Sequence, residues 1–289
     1  MSILINKSTR VMVQGLGRDG SFHAAEMKAY GTNIVAGVHP GKGGTNLEGF
    51  PIFNTAQEAA SETGAECSVI FVPAPFAEDA ILAAANAGVK LVVAVTEGIP
   101  VLDMSAVLME LNGLGTRLVG PNCPGLISPE ESKVGIMPGR IFKRGPVGVI
   151  SRSGTLTYEV VNQLTAAGFG QSTAIGMGGD PIIGMKFNDY LKLLENDGDT
   201  EAVVIVGEIG GTDEQDAAAF VKEHITKPVV GYIVGRSAPP GKRMGHAGDI
   251  VEGASGTAAA KVDVLRDNGI PVADTVEHIV KLISEKLGG

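Results

Sequence analysis

Val11-Met-Val-Gln-Gly15-Leu-Gly-Arg-Asp-Gly20 is the stretch on which the reading of the fold turns. A short apolar run passes straight into a loop of the form G-x-G-x-x-G, and a helical pattern near Ser21–Tyr30 follows. Strand, tight glycine turn and helix in that order make one βα unit. Backbone amides left free where such a helix starts suit a phosphate or pyrophosphate.

Outward from this unit the alternation continues. Strands are predicted at Asn33–Val38, Ser68–Val72, Leu91–Val95 and Arg117–Val119, with helices near Thr55–Thr63, Phe76–Ala87 and Val101–Asn112. Near-continuous apolar strands separated by helices indicate a parallel sheet covered on both faces. From Pro124 to Pro146 the pattern fails, and scattered Pro and Gly read as a linker. It restarts with strands Val147–Ser151, Ser172–Ile175, Ala202–Gly207, Val229–Val234 and Ile270–Ala273. The matching helices fall near Thr155–Ala167, Asn188–Asn196, Asp213–Ile225, Thr257–Asn268 and Val276–Leu287. The expected fold class is α/β, with two doubly wound parallel sheets. A first domain spans 1–123, a linker 124–146 and a second domain 147–289.

Composition narrows the function. Of 289 residues, 41 are glycine and 44% are hydrophobic, with no Gly-X-Y period, so collagen and disorder are excluded. A net charge of −9 with no long basic run, no tryptophan and 4% aromatics argue against nucleic acid and anionic lipid as partners. Cys67 and Cys123 suggest neither a disulfide scaffold nor, with the histidines, a metal site. No apolar run reaches membrane-span length, and Met1 to Lys7 holds no signal-peptide core, so the expected location is cytoplasmic.

Most predicted strands run into a glycine-bearing loop at their carboxyl ends, the edge where open parallel sheets bind ligands. In the first half, a nicotinamide reading of Gly15–Gly20 requires an acid after the second strand. That position instead reads Val38-His-Pro-Gly-Lys42-Gly-Gly44. A lysine in a glycine loop suits an extra phosphate, which leaves NADP or the 3′-phosphate of coenzyme A open. Val95-Thr96-Glu97-Gly98 and Gly120-Pro-Asn122-Cys-Pro124-Gly125 close two more loops at this edge, although ordinary polar turns read the same way.

In the second half, Ser151-Arg-Ser153-Gly154-Thr155 offers hydroxyls and amides to an anion at a helix N-terminus, with simple N-capping as the plainer reading. Gly207-Glu208-Ile-Gly-Gly211 sets a carboxylate just past a strand, and Gly241-Lys-Arg-Met-Gly-His246-Ala-Gly248 sets an imidazole among small neighbours. A neutral imidazole attacks phosphoryl groups when a carboxylate holds its other nitrogen, and Glu208 is the candidate for that role. The helix start at Thr155 can stabilise the transferred charge. No Walker-type motif occurs, so the chain can carry a phosphoryl group but cannot take it from a nucleotide unaided.

These motifs, with Val72-Pro-Ala-Pro75, Thr96-Glu-Gly-Ile-Pro100 and Ser151–Glu159, resemble over essentially the whole chain the alpha subunits of succinyl-CoA synthetase (succinate–CoA ligase). The resemblance implies a Rossmann-like CoA-binding domain followed by a flavodoxin-like ligase domain. It implies phosphorylation of His246 with Glu208 in contact, and CoA at Gly17, Arg18, Asp19, Lys42, Val95, Thr96 and Glu97. It further implies substrate contacts at Tyr158, Asn122 and Pro124, phosphate contacts at Ser153, Gly154 and Thr155, and no metal ligand in this chain. The Mg-nucleotide would lie on a separate ATP-grasp beta subunit, with CoA, succinate and phosphate as the small-molecule partners. One departure is visible. The family usually reads Gln-Gly-x-Thr-Gly-x-x-Gly in the first loop, and here Gln14–Gly20 is one residue shorter and lacks the threonine. Malate–CoA ligase, a CoA-binding regulatory protein without the chemistry and a nicotinamide dehydrogenase are the rival readings.

Overall fold

The opening strand β1 (Val11–Gln14) is buried along its whole length, because parallel neighbours flank it and helices cover both faces. The computed structural model describes residues 3–47, 49–239, 244–251 and 253–288. It divides the chain into two compact units, the first comprising Leu4–Met137 with Ile182–Gly184, the second Pro138–Pro181 and the chain from Met185.

In the first unit β1 leads to α1 (Arg18–Tyr30), β2 (Ile34–Val38), β3 (Asn46–Leu47), β4 (Phe50–Phe53) and α2 (Ala56–Thr63). After these come β5 (Cys67–Ile70), α3 (Ala77–Asn86), β6 (Leu91–Ala94), α4 (Val101–Leu114) and β7 (Arg117–Val119). The sheet order is β3-β4-β2-β1-β5-β6-β7, parallel except for the edge pair β3–β4. The short strands β3 and β4 escape the sequence reading, since so few residues carry no periodicity. The chain winds outward through β2 and β4, then crosses back to β5 on the other side of β1. That reversal puts a crevice beyond the carboxyl ends of β1 and β5. Met12, Ile70, Ile81, Val92 and Val107 form the core around it.

Residues 124–146, read as a linker, are folded. β8 (Gly125–Ser128) and β9 (Ser132–Gly135) make an antiparallel hairpin whose two strands are buried along their whole length. Thr32 Oγ1 donates to the Lys133 carbonyl at 2.7 Å and accepts the Lys133 amide at 3.0 Å, and Ser128 Oγ donates to the Ile5 carbonyl at 3.0 Å. The partners lie about a hundred residues away, so nothing local in the sequence marks these segments as strands.

The second unit runs through β10 (Arg144–Ser151), α5 (Gly154–Ala166), β11 (Gln171–Gly176), α6 (Phe187–Glu195) and β12 (Ala202–Gly207). It continues with α7 (Asp213–His224), β13 (Val229–Ile233), α8 (Ala258–Asp267), β14 (Val272–Ala273) and α9 (Val276–Leu287). Its parallel strands follow the order β14-β13-β12-β10-β11. This is the flavodoxin-type order, and its reversal lies between β10 and β12. Among the described residues no helix is long and apolar enough to cross a membrane.

Candidate functional site

Each unit carries a candidate site at its own reversal point. In the second unit, β12 ends at Gly207 and delivers Glu208 into a buried position, its side chain 4% exposed. The imidazole of His246 meets that carboxylate squarely, with Nδ1 at 3.0 Å from Oε1 and 2.9 Å from Oε2. The His246 amide donates to Asp249 Oδ2 at 3.1 Å, which folds the loop back on itself. The ring lies against the backbone of Gly179, where a Cβ would stand only 2.2 Å from His246 Cγ. The Gly248 amide donates to the Gly179 carbonyl at 3.1 Å. Glycine at 179 is therefore what gives the imidazole its place.

Charges complete the arrangement. Arg152 donates to Asp213 at 2.9 Å and to the Asp180 carbonyl at 3.0 Å. The hydrogen bond that His246 donates to Glu208, helped by the negative charge of Glu208 and Asp249, raises the His246 pKa above the ordinary histidine value despite burial and Arg152. Burial by itself would lift the Glu208 pKa, but the His246 contact, a hydrogen bond with Asp249 and the Arg152 charge hold it below the usual range. Burial and the neighbouring Glu208 push Asp249 up to about 6. A carboxylate on Nδ1 selects the tautomer protonated there and leaves the Nε2 lone pair as nucleophile. No described residue hydrogen-bonds Nε2, and the side chain is 27% exposed.

Ser153 caps α5, its Oγ accepting the Leu156 amide at 3.3 Å, while its own amide donates to Ser151 Oγ. Ser153 is buried, whereas Gly154 is half-buried and Thr155 exposed in the first turn. The N-capping of the plainer reading is therefore present, and the Ser153 hydroxyl performs it. The first-turn amides of Gly154 and Thr155 stay available to an anion. Tyr158 is half-buried one turn further along α5.

In the first unit, a cavity of about 900 Å³ opens at the reversal, lined by Gln14 to Gly20, by His39 and Pro40, by Asn54 to Ala56 and by Phe71 to Pro73. Gly17 caps α1 without any side-chain hydrogen bond, so no capping side chain claims the first amides of that helix. Gly17, Arg18 and Asp19 are exposed, and Arg18 Nε pairs with Asp19 at 3.2 Å. Lys42 is exposed in a neighbouring loop, which Asn54 clamps by accepting the Gly41 and Gly43 amides at 2.9 and 3.0 Å. Val95 and Thr96 are half-buried and Glu97 is exposed. Thr96 Oγ1 donates to the Val72 carbonyl at 2.7 Å, and the Thr96 carbonyl accepts the Asn122 amide at 2.9 Å. Pro124 is buried, its carbonyl accepting the Ile136 amide at 2.9 Å. The cavity thus gathers Gly17, Arg18 and Asp19, while Lys42 and Val95 to Glu97 are not among its lining residues. Cys123 is buried, and its thiol points to the Ala94 carbonyl at 3.2 Å, so it takes the place of a neutral core residue.

Sequence reasoning missed Asn54, Gly179, Arg152 and Asp249 as parts of the sites. Only Arg152 and Gly179 carried a signal, since both sit inside glycine-bearing loops after strands. Gly241 to Arg243, the start of the quoted histidine motif, lie outside the described residues.

The first unit has the order of a dinucleotide-binding sheet with its cavity at the reversal, and the second carries a carboxylate-held histidine. The family pattern described as a CoA binding domain matches residues 6–98, and that of a CoA-ligase matches residues 150–270. The class of protein is therefore a CoA-binding domain followed by a CoA-ligase domain. The chain is 56% identical over 293 aligned positions to the succinate–CoA ligase [ADP-forming] subunit alpha of Aquifex aeolicus (strain VF5), covering 98% of this chain and 96% of that one. The corresponding subunit from a Staphylococcus epidermidis strain is 58% identical, with 96% and 93% covered. The chain belongs to the family of succinate–CoA ligase alpha subunits. Its fold is shared by the ATP citrate lyase from Methanothrix soehngenii solved with citrate and coenzyme A, with a TM-score of 0.88 and 24% identity. The match covers 99% of this chain and 51% of that one, so the chain spans about half the length of that solved protein.

Proposed function

We propose that the chain is the CoA-binding, phosphoryl-carrying subunit of a succinate–CoA ligase, with His246 as the carrier. The observation that supports this most directly is the His246 ring, held by both carboxylate oxygens of Glu208 through Nδ1 with Nε2 open. In the direction of synthesis, Nε2 attacks the γ-phosphorus of a nucleoside triphosphate, and the bond to the leaving nucleoside diphosphate breaks. Glu208 balances the positive charge that gathers on the ring as the P–N bond forms. A succinate carboxylate oxygen then attacks that phosphorus, which returns the electron pair to Nε2 and gives succinyl phosphate. The CoA thiol attacks the acyl carbon, the C–O bond to phosphate breaks, and the departing inorganic phosphate takes the thiol proton. Every step is reversible.

CoA belongs to the first unit in this reading, supported by Gly17 to Asp19, which line a cavity of suitable size at a helix start that no side chain caps. Lys42 and Val95 to Glu97 are further CoA contacts by motif resemblance. Gly154 and Thr155, with Ser153 as cap, form the phosphate-binding helix start. Tyr158, Asn122 and Pro124 are proposed succinate contacts on the same ground. The Mg-nucleotide belongs to a partner beta subunit of ATP-grasp type by motif resemblance, and the alpha-subunit naming of the relatives supports the need for a partner. A cytoplasmic location fits the two buried thiols, Cys67 and Cys123.

The test is to assemble wild-type and His246→Asn chains with a beta subunit, then supply Mg-ATP, succinate and CoA. Acid-labile phosphate on this chain and succinyl-CoA formation should both vanish in the variant. Phosphate that persists on the variant chain contradicts the assignment. A dicarboxylate panel in the same assay separates succinate from malate as the acid.

A further inference from the structure

Beneath Glu208 lies a second charged pair that the chemistry above does not use. Lys261, on α8, is 0% exposed and Glu214, in the first turn of α7, is 1% exposed. The Lys261 ammonium is hydrogen-bonded to Glu214 Oε2 and to the Gly210 carbonyl. The other carboxylate oxygen, Oε1, accepts the backbone amide of Glu208 at 3.0 Å. The Gly210 amide in turn donates to the Gly256 carbonyl at 2.8 Å, just ahead of α8. The tripeptide Glu208–Gly210 is thus fastened at its first amide, its last amide and its last carbonyl. Gly207 makes room for this, since a Cβ there would stand 2.5 Å from Glu214 Cγ.

Burying two charges is a poor way to stabilise a fold, because desolvation consumes most of the attraction and apolar residues of equal volume do as well or better. What an ion pair supplies that an apolar pair cannot is a donor and an acceptor at fixed points. Here both points fall on the peptide that carries Glu208. The carboxylate of Glu208 must meet Nδ1 within a few tenths of an ångström to hold the ring, so small tilts of that peptide misplace it.

The geometry points to Glu214 and Lys261 as positioning residues for phosphoryl transfer: their buried pair orients the Glu208 peptide, and through it the carboxylate that holds His246. This deepens the phosphohistidine reading and rests on it. Neither residue touches the reacting atoms.

The experiment uses the assembled complex with the beta subunit and compares two double variants with wild type. Glu214→Leu with Lys261→Met removes both anchor points and leaves no unpaired charge. Glu214→Gln with Lys261→Met keeps an acceptor for the Glu208 amide. Phosphohistidine formation from Mg-ATP should slow by about 10- to 100-fold in the first, the usual loss when an orienting partner is removed. KM for the nucleotide should hold steady. The second variant should recover part of the rate. The titration midpoint of His246, followed by ¹⁵N NMR of the ring, should move down in the same order as the rates. Wild-type rates and midpoints in both variants overturn the proposal. So does equal loss in both, or failure of the Leu/Met complex to assemble, since the pair is then a determinant of the fold alone. Glu208→Gln run alongside separates the two levels. If that variant phosphorylates normally, the reading of the site fails. If it is crippled while the double variants are normal, only this inference fails.

Discussion

The two domains place their glycine-rich loops at equivalent points, beyond the strand ends where the sheet order reverses, yet the loops use glycine for opposite ends. After β1, glycine exposes backbone: Gly17 sits in open space, with nothing within 4 Å of where a Cβ would stand, beside amides that no side chain caps. After β11 and β12, glycine admits side chains: Gly179 yields its volume to the His246 ring and Gly207 to Glu214. The charges differ accordingly. Arg18 and Asp19 pair at the surface with side chains 95% and 77% exposed, where such a pair contributes little. Glu208, Glu214 and Lys261 are all buried, where direction and distance decide what a charge does. One switch point leaves its backbone open, and the other surrounds an imidazole with buried side chains.

The strongest way to break this contrast is to put a methyl group where the second site keeps none. Gly179→Ala should displace the imidazole from Glu208 and slow His246 phosphorylation by at least about 100-fold, the scale on which misplacing a reacting group acts. CoA binding, measured by calorimetry, should be unaffected. Equal loss of both would mean that the two sites are not independent.

The next effect comes from pH. Nε2 attacks only as the neutral ring, and Glu208 raises the His246 pKa above 6.5. Phosphorylation should therefore climb as pH rises through a midpoint above that value, and fall about tenfold per unit below it. Glu208→Gln removes the chief cause of the upward shift, so the midpoint should move down while the plateau rate drops. Quenched-flow rates across pH 5.5–9 on the complex check both. A midpoint that stays put in the Gln variant would detach Glu208 from the ring.

The smallest effects fall in the first unit, and they sort its glycines. A Cβ at Gly20 would lie 2.0 Å from the Gly15 carbonyl oxygen, a backbone atom that cannot swing away. Gly20→Ala should cost about 1–3 kcal/mol, the range for forced overpacking, read as a lower melting temperature. Gly17→Ala should leave stability within about 0.5 kcal/mol, as for other open surface positions. Its CoA affinity should nevertheless weaken several-fold, because the methyl stands where the ligand approaches. Unchanged affinity would argue that the amides at Gly17 to Asp19 do not cradle the phosphate.

Most of the architecture was legible in the chain because it is written in local patterns. Strands Val11–Gln14, Arg117–Val119 and Ala202–Gly207 and helix Val276–Leu287 fall where periodicity predicts, since apolar spacing and capping threonines act within a few residues. Thr257 and Thr275 each accept an amide three residues on, as their place before a helical run implies. The hairpin Gly125–Gly135 was illegible, because its buried faces are made by Thr32, Ile5 and Met27 rather than by its own alternation.

The candidate site divides in the same way. His246, Glu208 and the glycine loops stand out in the sequence by residue type and position after strands. That they meet, and through which nitrogen, was decided by a contact 38 residues apart in the chain. The Asn54 clamp on the Lys42 loop and the Lys261 bond to Gly210 span 13 and 51 residues. By itself the sequence determined two doubly wound domains and the glycine loops at their strand ends, because strand and helix periods and loop chemistry are short-range patterns. Tertiary structure alone decided which nitrogen of His246 stays free, what holds Glu208 in place and which loop residues face the cavity. Those outcomes depend on distances of a few tenths of an ångström between segments that no local rule brings together.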